Sequence, residues 1–98
     1  MADLYRILIT PRALTDLRGI FQYIQQHSPQ NARAMIRRLL DAIDALNMLP
    51  HRYGVPRVGR VADRQIRSMP VRPFLVRYRI DDSSKAVFVL RIRHGARR

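Results

Sequence analysis

Two short runs near the end of the chain carry alternating arginines: Arg77 and Arg79 within Leu75-Val-Arg-Tyr-Arg-Ile80, and Arg91 and Arg93 within Val89-Leu-Arg-Ile-Arg93. A two-residue step puts both members of each pair on one side of a strand. Guanidinium groups offer a rigid fork of donors that matches phosphate and carboxylate oxygens. If the two strands pair, the rows lie about 5 Å apart, and Arg67 from a shorter upstream strand extends the surface. That sheet face then attracts a phosphate or a carboxylate-rich peptide. The plainer reading is a solvated outer face, which also carries charge, but like charges facing each other across strands with no interleaved acid favour a functional surface.

His94 follows directly, and a histidine flanked by arginines suits proton transfer near neutrality. Strict alternation, however, groups His94 with Phe88, Leu90 and Ile92 on the core side, where it serves as a structural residue at a strand end. Tyr78 shares a row with Phe74 and Val76 and reads as a core residue with its hydroxyl at the rim. His27 and Ser28 read as helix-capping features, whereas His51 and Tyr53 carry no signal. Asp63 stands alone, and Asp81 and Asp82 belong to turn chemistry, so no paired-carboxylate couple is expected. The chain has no cysteine and three scattered histidines, without a Gly-rich phosphate loop or an HExxH pair. No metal site and no cofactor are expected.

The 98 residues suit one domain spanning 1–98, and 47% apolar with 27% charged residues is the balance of a folded soluble domain. No apolar run approaches the roughly 20 residues that span a bilayer, and the N-terminus lacks a signal-peptide pattern. A cytoplasmic protein without membrane contact is expected. The net charge of +12 calls for a polyanion or an acidic protein partner. Every basic residue but Lys85 is arginine and every acid is aspartate; arginine serves bidentate recognition, and genomic base composition produces the same bias.

The elements that position these residues follow from periodicity. Leu4 to Thr10 alternates with apolar residues on both faces and predicts an interior strand. Thr10-Pro11 starts a helix of about 15 residues with Leu14, Leu17, Phe21 and Ile24 as its buried stripe. Ser28-Pro29 starts a second, with Ala32, Ile36, Leu39, Ile43 and Leu46 inward, Met35 and Leu40 widening the stripe, and Pro50 ending it. The short connection makes the helices an antiparallel hairpin. His51 to Asp63 reads as a loop, and strands are predicted at Gln65 to Met69, Phe74 to Ile80 and Ala86 to Arg93. Pro70 and Pro73 separate the first two, and Asp81-Asp82-Ser83-Ser84 turns the last two into a hairpin. The expected fold class is α+β, a two-layer sandwich in the order β-α-α-β-β-β with an N-terminal helical hairpin on a small antiparallel-rich sheet.

These pieces resemble the toxins of the RelE/ParE superfamily of bacterial type II toxin–antitoxin systems. The resemblance rests on Tyr5 to Ile24, on Ala45-Leu-Asn-Met-Leu-Pro50, and on the pair Leu75–Ile80 and Val89–Arg97. It implies a growth-inhibiting toxin held inactive in a hetero-oligomer by a cognate antitoxin that is small and acidic, the acid offsetting the net charge of +12. One branch of the superfamily comprises ribosome-dependent mRNA endonucleases and another, ParE, inhibitors of DNA gyrase. In nuclease members an arginine often stands three residues before the tyrosine that Tyr78 matches, and a lysine or glutamate base with a C-terminal His or Tyr completes the site. Here that arginine position is Leu75, glutamate is absent and the lone lysine lies in a turn, which counts against ribonuclease activity.

The ending His94-Gly-Ala-Arg97 is similar to the ParE-type tail, so gyrase is the expected target and Arg67, Arg77, Arg79, Arg91, Arg93 and Arg97 the expected binding residues. For a nuclease, Arg77, Arg91 and Arg93 are the candidates for stabilising the scissile phosphate and His94 for the acid, with the RNA 2′-hydroxyl attacking and no metal required. A third class, a plain basic nucleic-acid-binding module, lacks a recognition helix rich in base-reading side chains and surface aromatics for stacking.

Overall fold

A computed structural model describes residues 4–54 and 66–95. Strand β1 spans Arg6–Ile9, helix α1 Pro11–Gln25 and helix α2 Pro29–Asp44. Two short 3-10 turns, Ala45–Asn47 and Pro50–Arg52, precede strands β2 (Arg67–Val71), β3 (Phe74–Asp81) and β4 (Ala86–His94). Both helices begin as the sequence predicts. The Thr10 hydroxyl accepts from the Ala13 amide and the Ser28 hydroxyl from the Asn31 amide, each followed by a first-turn proline. The helical hairpin packs on one face of a four-stranded mixed sheet of order β1-β4-β3-β2, which is the expected α+β layering.

The position of β1 differs from expectation. It is an edge strand, parallel to β4, and β4 is the interior strand flanked by β1 and β3. Leu4 and Leu8 look apolar enough for burial but face out, whereas Tyr5, Ile7 and Ile9 pack on the core. The double-apolar pattern that suggested an interior strand belongs properly to Ala86–Leu90, whose neighbours lie on both sides. Pro70 lies within β2 opposite Leu75 instead of ending the strand, a position open to proline because β2 is the other edge. The Arg72–Pro73 peptide in the turn to β3 is cis.

The helix stripes are rotated slightly from their predicted centres. Ala13 and Leu17 are buried on α1 while Leu14 is exposed; on α2 Ala32, Met35, Leu39 and Ile43 are buried while Leu40 is exposed. Helix α2 stops at Asp44, and Pro50 opens the second 3-10 turn. Leu39, Ile43, Leu46, Val76, Tyr78, Val87 and Val89 are the largest fully buried side chains. Tyr78 is core, as its row implies, and its hydroxyl donates to the Pro50 carbonyl at 2.6 Å. Burial pushes its ionisation upward.

A β-bulge divides β4. Arg77 pairs with Arg91, yet Tyr78 pairs with Val89, so Leu90 has no partner across the strand. The extra residue resets the alternation. Val87 and Val89 face the core before it, Ile92 faces the core after it, and Phe88 turns outward, contrary to the strict alternation that grouped Phe88 and Leu90 with Ile92. Without the bulge, Arg91 would share the inward face with Val89.

Candidate functional site at the open end of the sheet

Directly opposed residues of an antiparallel pair share a face, so the register fixes which arginines meet. Arg77 stands opposite Arg91, and Leu75 stands opposite Arg93. With His94 and Gly95 these residues line an open cleft of about 510 Å³ on the sheet face away from the helices. Arg79 lies further along the same face, opposite Phe88, with its guanidinium 4.7 Å above the ring. Arg67 does not join them. Its partner is the buried Tyr78, so it points to the helix side, where its guanidinium donates to the Tyr53 carbonyl at 2.6 Å. Arg97 lies outside the described residues. Of the predicted arginines, the structure therefore brings together Arg77, Arg91 and Arg93, sets Arg79 beside them and assigns Arg67 to holding the 3-10 segment.

His94 is exposed at the end of β4, with its ring edge-on to Phe74 at 5.6 Å. It borders the arginine cleft and also a second trough of about 480 Å³, floored by Ile20, Ile24, Met35 and Phe74 on the helix side. Gly95 closes this end because its amide donates to the Pro73 carbonyl at 2.7 Å. A Cβ there would lie 3.1 Å from Leu75 Cγ, so a larger residue needs the Leu75 side chain to give way.

The residue that sequence reasoning missed is Asp16. One of its carboxylate oxygens accepts from Arg91 Nε at 2.9 Å and from the Ile92 amide at 2.8 Å, and the other is 3.5 Å from Arg91 Nη2. The reason lies in the topology. β1 ends at Ile9 opposite Val89, so among the described residues no strand continues along that side of β4, and α1 supplies a carboxylate in its place. The only acid on these two strands, Asp81, ends β3 and is engaged in the turn, so Arg91 receives its acid from a helix 75 residues away. A signal existed: Ala13, Asp16, Leu17 and Ile20 follow the i, i+3, i+4, i+7 pattern of a buried face, so Asp16 sits within the stripe where an acid needs a partner.

The opposite end of the sheet carries a separate polar cluster. Asp82 accepts the Tyr5 hydroxyl at 2.6 Å and meets His51 Nε2 at 3.3 Å, and Lys85 lies 5.2 Å above the Tyr5 ring. The Tyr5 hydrogen bond, followed by His51, holds Asp82 below the usual carboxylate range, and the same bond raises Tyr5. Asp81 is lowered by the Ser83 hydroxyl and the turn amides, as its turn role predicts.

With this geometry in place, comparison with known proteins decides the family. The sequence pattern of the ParE toxin of the type II toxin–antitoxin system parDE matches residues 7–98. The chain belongs to that family. It is 40% identical to Toxin RelE2 of Caulobacter vibrioides over 93 residues, covering 94% of this chain and 97% of that one. Its fold matches the chromosomal ParDE system from P. aeruginosa with a TM-score of 0.73 at 22% identity, covering 93% of this chain and 96% of the other. It also matches the archaeal RelE–RelB complex from Pyrococcus horikoshii OT3 with a TM-score of 0.69 at 18% identity, covering 97% and 99%. The RelE/ParE superfamily resemblance is thus upheld, and relatives bearing both names occur around this toxin.

Proposed function

We propose that this toxin arrests growth by binding DNA gyrase through its arginine cleft, and that an acidic cognate antitoxin holds it inactive in a hetero-oligomer in the cytoplasm. The observation that carries the reading is Tyr78. The position that resembles a nuclease tyrosine is fully buried, and its hydroxyl is committed to the Pro50 carbonyl, away from the cleft. Lys85 sits in the turn before β4, nine residues from His94, or about 30 Å along a strand. What gathers in the cleft is a set of permanently charged guanidinium groups, with no acid–base couple around Tyr78 among the described residues, which suits recognition of carboxylates or phosphates on a partner surface. The antitoxin reading draws on the solved relatives, which are described as a ParDE system and a RelE–RelB complex, and on the net charge of +12.

A second reading has one observation in its favour: His94 borders the same cleft as Arg77 and Arg93, where it could protonate the leaving oxygen while the RNA 2′-hydroxyl attacks. Controlled expression in bacteria separates the two, with protein synthesis and DNA synthesis pulse-labelled in the first minutes. Early failure of DNA synthesis with intact mRNA is the expected outcome. A prompt fall in translation with mRNA cut at codon positions would overturn the gyrase reading in favour of the ribosome-dependent endonuclease.

A further inference from the structure

Arg77 and Arg91 face each other across β3 and β4, a placement in which two guanidinium groups repel. An unrestrained Arg91 would relieve that repulsion by swinging into solvent. It does not, because Asp16 takes two of its donors, Nε and Nη2, and leaves Nη1 for an incoming anion. The Asp16 side chain is 14% exposed and that of Arg91 32%, so the pair is shielded enough to hold a geometry. The same carboxylate fixes the Ile92 amide and so the strand between Arg91 and Arg93.

We propose that Asp16 is the positioning residue of the arginine cleft, holding the Arg91 guanidinium in one orientation at a wall of the cleft that Arg77 and Arg93 also line, ready for an anionic group of the target. The proposal deepens the binding reading of the cleft and rests on it. Asp16 touches no ligand itself. It acts through Arg91, and it makes α1 part of the cleft's construction although no α1 side chain lines that cleft among the described residues.

The substitution Asp16→Asn tests the idea because the amide oxygen still accepts from the Ile92 amide while the negative charge that faces Arg91 is lost. Inorganic pyrophosphate serves as the anion, titrated into the full chain and followed by NMR at the Arg91 Nε–H, with melting temperature and growth arrest measured in parallel. Asp16→Asn is expected to melt within a few degrees of the unsubstituted chain, to bind pyrophosphate about tenfold more weakly and to lose growth arrest in proportion, as expected for one charge-assisted contact. The double variant with Arg91→Ala is expected to bind no more weakly than Arg91→Ala alone, because both changes remove the same oriented group. Losses that multiply, or unchanged pyrophosphate affinity in Asp16→Asn, would overturn the positioning role. Full growth arrest by Arg91→Ala would instead overturn the reading of the cleft as the target surface, whatever the pyrophosphate cycle shows.

Discussion

At the turn before β4, Asp82 is met by Tyr5 and His51, whereas towards the far end of that strand Arg77, Arg91 and Arg93 line one cleft and only Arg91 meets an acid, Asp16, among the described residues. The first cluster closes on itself. Its polar groups satisfy one another and tie β1, the 3-10 turn and the hairpin together. Among the described residues the second leaves the charges of Arg77 and Arg93 without an acid on the concave face, an arrangement that suits a partner able to supply anions. Similar residue types thus hold the fold together where they are balanced, and where they are not they form the surface to which the proposed function assigns recognition. The bulge at Leu90 lies between the two regimes and turns Arg91 and Arg93 to the outer face.

The contrast is broken most severely by removing the charge. Arg77→Ala with Arg91→Ala is expected to lower growth arrest by about a hundredfold or more, since truncating paired charges at an interface costs about 2–5 kcal/mol. Circular dichroism should show the fold retained. Unchanged arrest by the folded double variant would mean that the unbalanced end is only a solvated face. Tyr78→Phe comes next. It leaves the buried Pro50 carbonyl without its donor and is expected to cost about 1–3 kcal/mol in denaturant unfolding. Arrest should persist below the melting transition; an arrest-dead variant that remains folded would restore Tyr78 as a reacting group.

A smaller effect is expected at the sheet's end. Gly95→Ala pushes a methyl against Leu75 Cγ, and a destabilisation of about 1 kcal/mol should appear as a lower denaturation midpoint. The balanced end sharpens the comparison through pH. Asp81 and Asp82 have folded-state values below the ordinary carboxylate value of 3.8, so each stabilises the fold fully above that value and loses its contribution as pH falls through the lowered one. Asp82→Asn is therefore expected to reduce the drop in melting temperature between pH 5 and about pH 2. An identical acid profile in the variant would show that the Tyr5–Asp82 bond does not persist in solution.

Much of the architecture was legible because it depends on local chemistry. Thr10-Pro11 and Ser28-Pro29 start helices through short-range hydrogen bonds and a preset backbone angle, and Asp81 organises its turn within three residues. The error over β1 has a different origin: apolar alternation reports how much of a strand is covered, and Leu4 and Leu8 remain exposed despite their type. The sites divide in the same way. Arg77, Arg91 and Arg93 could be grouped from alternation, but Arg67 could not be excluded until pairing with Tyr78 showed its face.

Composition and spacing by themselves determined the two capped helices, the strand-rich C-terminal half, the excess of arginine and a family-level resemblance, because each is written in neighbouring residues. Only the tertiary structure decided that β1 is an edge, that Leu90 is a bulge and that Asp16 meets Arg91. Those facts depend on which strands pair and in what register. Contacts between residues 75 positions apart are selected by packing of the whole chain, for which no local pattern holds the information.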